Sequence, residues 1–289
     1  MEKVLFTDDL SSNGLVKIFD ALGVTLKGNI AIKIHSGEKG NQNYLKPEYV
    51  EELIKHVNGT VVECNTAYEG ARNTTDKHKE LMKSHGWSNI FNIDILDEEG
   101  DIIIPIENGL HLSKNYVGSH IENYDSVLVL SHFKGHPMGG FGGALKQLSI
   151  GFASSRGKSY IHCVGDENGQ ESDFFKVKQE DFIESMADAA KTIHEKFKGN
   201  IVYINVMSNM SVDCDCCYVA EDPCMADIGI LASTDPLAID QACIDLVYNS
   251  KDSGKGHLIE RIESRKGKII LDAAEKLNIG SREYELIKL

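Results

Sequence analysis

The chain has 289 residues, 42% of them hydrophobic, enough to bury a substantial core in one large domain or two small lobes. Thirty Lys and Arg against 44 Asp and Glu give a formal charge of -14, a field that repels polyphosphate backbones and excludes nucleic acid as an expected partner. No apolar run approaches the roughly 20 residues that a bilayer span needs, and MEKVLFTDDL lacks a basic-then-apolar leader, so the sequence predicts a cytoplasmic protein with no membrane partner.

In chain order, short apolar runs predict buried strands over residues 3–6, 30–34, 61–64, 101–104, 127–130 and 201–205. Helical periodicity falls between several of them, over 14–22, 47–56, 76–85 and 182–197. Strands alternating with helices define an α/β class: a mostly parallel open sheet with helices on both faces. The expected organisation is a single domain over 1–289, with two lobes of about 1–125 and 126–289 around a central crevice as the variant. The one linker-like stretch is 165–173.

Three strands run directly into polar sequence: HSGEKGNQN after Ile34, NTAYEGARN after Cys64 and SHFKGHPMGGFGG after Leu130. Ligands of open parallel sheets bind beyond the carboxyl ends of strands, so these loops are expected to meet. His35, Asn65, His132 and Lys134 are thereby placed in one crevice. Taken singly, each loop also reads as a polar strand terminator.

Residues 126–165 contain no Asp or Glu, where the average content of the chain would place about six. The same window holds Lys134, Lys146, Arg156, Lys158, His132, His136 and His162, an island of positive charge suited to a small anionic partner. Gly139, Gly140, Gly142 and Gly143 precede a predicted helix over 144–150, whose N-H groups would favour a carboxylate or phosphate. The run lacks the spacing of a Walker loop or a dinucleotide fingerprint. His132-x-Lys134-x-His136 supplies candidates for proton transfer, with Lys146, Arg156, Lys158, His35, Asn65 and the four glycines as the anion-binding set.

Seven cysteines is an odd number, and Cys214, Cys216, Cys217 and Cys224 crowd into one acidic stretch. The C-x-C-C-x6-C spacing matches neither a zinc finger nor a ferredoxin, yet adjacent thiolates beside Asp213, Asp215, Glu221 and Asp222 repel one another unless a cation intervenes. A metal ion or iron-sulfur cluster is the expected cofactor. Asp235, opening the helix predicted over 237–247, reads as an N-cap.

SHFKGHPMGGFGGALKQLSIGFASSRGK, the Asp213-Cys-Asp-Cys segment and DIGILASTDPLAIDQACIDLV together resemble the uncharacterised iron-sulfur-centre proteins grouped as domain of unknown function 362. The resemblance extends to 32–43, 63–72 and the tail from Gly280, covering nearly the whole chain. Many members carry a ferredoxin-like cysteine insert after the Gly-Lys segment; here that region has only Cys163, so the electron-transfer role implied by the insert does not carry over. The His, Gly and Lys run is also distantly similar to nickel-dependent lactate racemases.

Three functions follow as alternatives. The first is a metal- or iron-sulfur-containing enzyme, redox in character and served by a redox partner the sequence does not identify, acting on a small carboxylate or phosphate. The second is a racemase or lyase using His and Lys acid-base chemistry. The third is a non-catalytic anion- or metal-binding protein.

Overall fold

The structure is a computed structural model and describes residues 1–289. Twelve strands form, in chain order: β1 (Glu2–Thr7), β2 (Ile30–Lys33), β3 (Thr60–Glu63), β4 (Ile93–Ile95), β5 (Asp101–Pro105), β6 (Lys114–Gly118), β7 (Ser126–His132), β8 (Lys134–His136), β9 (Gly140–Gly142), β10 (Ile201–Met207), β11 (Gly229–Ser233) and β12 (Tyr284–Lys288). The helices are α1 (Ser12–Ala21), α2 (Pro47–Val57), α3 (Thr75–Ser84), α4 (Trp87–Ile90), α5 (Ala144–Ser149), α6 (Ser155–His162), α7 (Gln179–Lys196), α8 (Pro236–Asn249), α9 (Lys255–Ser264) and α10 (Ile269–Lys276).

Eight strands make one open sheet in the order β12-β1-β11-β10-β7-β2-β3-β4. Seven run the same way; β11 alone is antiparallel to its neighbours β1 and β10. Alternate residues of the central strands enter two separate cores, as a period of two demands when both faces are covered. Ala31, Val62, Val127 and Val129 pack with α5 to α10, whereas Ile32, Val61, Leu128 and Leu130 pack with α1 to α4. The predicted mostly parallel open sheet with helices on both faces is therefore the observed architecture. Strands from both halves of the sequence are interleaved in the one sheet.

Two expectations need correction. The run over 101–104 is a strand, but it pairs with β6 in a separate two-stranded sheet. The run IGILAS, absent from the expected strands, contains β11, the antiparallel member of the main sheet. Asp235 does cap α8, its Oδ1 accepting from the N-H groups of Leu237 at 2.8 Å and Ala238 at 2.9 Å. No helix is long and apolar enough to cross a membrane.

The site is positioned by the branch in connectivity between β2 and β7. From β2 the chain crosses by α2 to β3 on one face; from β7 it crosses by α5 to α7 to β10 on the other. Adjacent strands that leave in opposite directions open a crevice at their carboxyl ends.

Candidate active site

The polar loops after β2, β3, β7 and β10 converge at that crevice. The loop after β2 holds the cysteine loop through side-chain amides: Asn41 Nδ2 donates to the carbonyls of Cys214 (3.2 Å) and Cys217 (3.0 Å), Gln42 to Ala220 and Asn43 to Glu221. From the other side Arg261 donates to the Val212 carbonyl at 2.9 Å and pairs with Asp213 at 3.0 Å. The Asn-rich HSGEKGNQN sequence is thus a latch as well as a strand terminator.

A cavity of about 280 Å³ lies between these loops. It is walled by Lys33, His35, Glu63, Cys64, Tyr68 and Arg72 from the β2 and β3 side, and by His136, Lys146, Lys158, His162, Cys216 and Cys217 opposite them. Four cations, Lys33, Arg72, Lys146 and Lys158, line it against two carboxylates, Glu63 and Glu171, in a protein of net charge -14. Lys33 is neutralised by Glu63 at 2.5 Å and Arg72 by Glu38 at 3.1 Å. Lys158 Nζ donates only to the Ala153 carbonyl, at 2.6 Å, and Lys146 Nζ meets only Cys214 Sγ, at 4.0 Å. These two ammonium groups have no carboxylate partner, the condition under which an incoming anion is favoured.

The histidines differ in what their ring nitrogens meet. His162 Nδ1 lies 2.7 Å from the Lys158 carbonyl, an acceptor only, so Nδ1 carries the proton. Burial lowers His162 to about 3, leaving the ring neutral with a bare Nε2 that has no protein partner. His136 is the reverse: its Nδ1 accepts from the N-H groups of Gly139 (2.8 Å) and Met138 (3.1 Å), so the ring proton sits on Nε2, 3.7 Å from Cys216 Sγ. Burial pushes His136 below its usual range too. His35, also on the wall, is held down by burial and by Arg72, and its Nδ1 accepts from Gly37 N-H at 3.1 Å.

The Cys214 and Cys216 sulfurs lie within 4.8 Å of each other, and the neighbouring thiols act on one another, Cys216 being pushed up while Cys214 and Cys217 are brought down. Burial alone would raise Cys214, but the Cys216 thiol and the charges of Lys146 and Lys134 outweigh it and bring Cys214 well below the ordinary thiol range. The ligand atoms of His136, Cys214 and Cys216 lie within 4.8 Å of one another, close enough to share a metal ion. A neutral imidazole ligates through a bare nitrogen, however, and the His136 nitrogen facing the sulfurs is the one that carries the proton. The donors there that fit a soft cation are therefore the Cys214 and Cys216 thiols.

Several expected site residues stand elsewhere. Cys224 is not in the cluster: its thiol donates to the Met210 carbonyl at 3.2 Å, so the four cysteines do not assemble one ligand set. His132 and Lys134 lie behind the wall on Asp215, at 2.9 Å each, and His132 Nε2 donates to the Ser208 carbonyl at 2.6 Å. Both hold the cysteine loop, and neither is among the residues that line the cavity. Arg156 stacks on Tyr116, 3.9 Å from the ring centre, and pairs with Glu167 on the outer surface. Asn65 is spent on Thr75 (3.0 Å), His78 (3.3 Å) and, through its N-H, Asp97 (2.9 Å).

The glycine run also departs from expectation. Gly140 and Gly142 belong to β9, and Gly140 takes φ +80° where a Cβ would strike Gly267. Gly139 only donates to His136, and Gly143 precedes α5, whose free N-H groups at Ala144 and Leu145 are taken at 2.8 and 2.9 Å by the buried carboxylate of Asp240. A Cβ on Gly143 would sit 2.3 Å from that carboxylate. The helix end already has its anion, from within the chain.

Sequence reasoning passed over Lys33 and Glu63 because they sit inside the apolar runs IAIKI and VVEC. A charge within a strand covered on both faces is the available signal. For the thiols, Cys214→Ser should move the ultraviolet thiolate titration up toward the ordinary thiol value of about 8.5, whereas Cys224→Ser should leave the curve in place.

Fold and site together define an open α/β protein with a cation-lined, thiol-bearing crevice at its topological switch point. The family model described as domain of unknown function (DUF362) matches residues 30–245, and the chain belongs to that family. No curated protein matches it. Among solved structures, the lactate racemase apoprotein from Thermoanaerobacterium thermosaccharolyticum aligns at 14% identity and TM-score 0.49, over 86% of this chain and 58% of that one. A Thermotoga maritima protein aligns at 11% identity and TM-score 0.42, over 92% and 58%. The chain thus spans less than two thirds of either structure, and neither likeness is close enough to carry a function across.

Proposed function

We propose that this protein is an enzyme that moves a proton on a small anionic compound, at the carbon beside its acidic group. The observation that carries the reading is the opposed polarity of two imidazoles on one cavity: His136 offers Nε2-H, and His162 offers a bare Nε2. One can donate a proton while the other accepts one, the pairing that racemisation, isomerisation or elimination requires. Lys146 and Lys158 hold the anion and stabilise the negative charge that develops when the proton leaves. A bound anion also favours the protonated imidazole, which raises His162 from its low value in the empty cavity.

The test is exchange of the carbon-bound proton in heavy water across a panel of small hydroxy and keto acids, followed by NMR. His136→Gln and His162→Gln should each slow exchange by roughly 100-fold or more, the usual range for a positioned acid or base. Both should keep anion binding, whereas Lys146→Met with Lys158→Met should lose it. Binding without exchange in the wild type would mark a carrier.

The thiol cluster favours a second reading, a soft-metal centre held by Cys214 and Cys216 that supplies Lewis acidity or an electron. Chelator treatment without oxygen separates the two: exchange that persists after the metal is removed supports proton transfer by the histidines, and exchange that disappears with the metal and returns on its addition supports the metal centre.

A further inference from the structure

Beyond its cations and thiols, the cavity has an apolar end that proton transfer does not use. His162 stacks against Phe174 at 4.5 Å and Phe182 at 4.9 Å, so the edge carrying Nε2 emerges from a layer of aromatic rings. Met138 and Ile150 continue that surface. Phe175 lines the mouth and is 77% exposed, a whole aromatic ring left in water beside a cavity. It belongs to the segment between α6 and α7, which the loop after β3 meets across the opening, Glu69 N-H donating to Glu171 at 3.2 Å. That bond engages one of the two carboxylates on the cavity wall.

We infer, resting on the anion-site reading above, that the substrate is amphipathic: a small carboxylate bearing an aromatic or branched apolar group, its head at Lys146 and Lys158 and its body against Phe174, Phe175 and Phe182. Two ammonium groups with no carboxylate partner favour an anion, and a bare ring at the mouth is covered only by a ligand with apolar surface of its own. A cavity of about 280 Å³ has room for one ring with a short acid arm.

The experiment is a ligand-observed NMR titration of the full, reduced chain with phenylacetate, acetate, 2-phenylethanol and inorganic phosphate. Phenylacetate should bind about tenfold more tightly than acetate, and 2-phenylethanol, which keeps the ring and lacks the charge, should bind no better than acetate. Phe175→Ser, at an exposed position where the fold does not depend on the ring, should weaken phenylacetate about threefold and leave acetate unchanged. Equal affinities of the wild type for phenylacetate and acetate, or a preference that Phe175→Ser leaves undiminished, would overturn the inference while leaving the anion site standing. Failure of phenylacetate, acetate and phosphate alike would remove the anion site, and this inference with it.

Discussion

Asp240→Ala should lower the stability of the folded chain by about 3 kcal/mol or more, because it strands three buried donors at once and each costs about 1 to 3 kcal/mol when unsatisfied. The donors are the N-H groups of Ala144 and Leu145 and the amide of Asn205, which reaches Asp240 at 2.7 Å. The carboxylate lies on α8 and closes the start of α5, so the loss falls between two helices and the sheet on one face. Asp240→Asn keeps the volume but turns an amide donor toward a donor, and it should fall between wild type and Asp240→Ala. Urea denaturation followed by far-ultraviolet circular dichroism measures all three; an alanine variant within 1 kcal/mol of wild type would show that the helix end is satisfied by other means.

Asp215→Ala should cost about 3 to 5 kcal/mol, the usual consequence of removing one partner from a buried ionic group and leaving the others uncompensated. Asp215 is 1% exposed and is shared by His132 and Lys134, while its carbonyl accepts from Glu38 N-H at 2.8 Å. Its contribution has a defined dependence on pH. Burial alone would raise the carboxyl, but His132 and Lys134 overcome that and hold it well below the unfolded value of about 3.9. A depressed folded value contributes stability that is complete above the unfolded one and is lost as pH falls below it. The gap between wild type and Asp215→Asn should therefore be widest near neutral pH and narrow below about pH 4. A gap that stayed constant down to pH 2 would show that the ionic form of Asp215 contributes nothing to stability.

Much of the fold was legible because hydrophobic periodicity is local. The runs at β1, β2, β3, β7 and β10, and the amphipathic patterns at α1, α2, α3, α7 and α8, stand within a residue or a few of their final bounds. Alternation of strand and helix then leaves little choice but a parallel sheet covered on both faces. The three polar loops at strand ends were legible for the same reason, since a parallel sheet presents all its carboxyl ends along one edge.

Composition also singled out residues 126–165 as a positive island and 214–224 as a cysteine cluster, but it did not determine which of these residues are free to act. That depends on partners far away in sequence. Asp215 neutralises Lys134, Glu167 takes Arg156 and Asp240 fills the helix end behind Gly143, so three cationic features of an acid-free window are answered by acids outside it. Lys146 and Lys158 remain unanswered only because the tertiary packing brings no carboxylate to them. The roles of the histidines follow the same rule. His132, His136 and His162 are equivalent as letters, and what separates them is whether each ring nitrogen meets a carboxylate, a carbonyl, an N-H or open cavity. The sequence by itself determined the layers, the edge and the residue types gathered there, because these follow from local pattern. The protonation and pairing of each side chain were decided only by tertiary structure, because electrostatics and hydrogen bonding act through space over a few ångströms and take no account of separation along the chain.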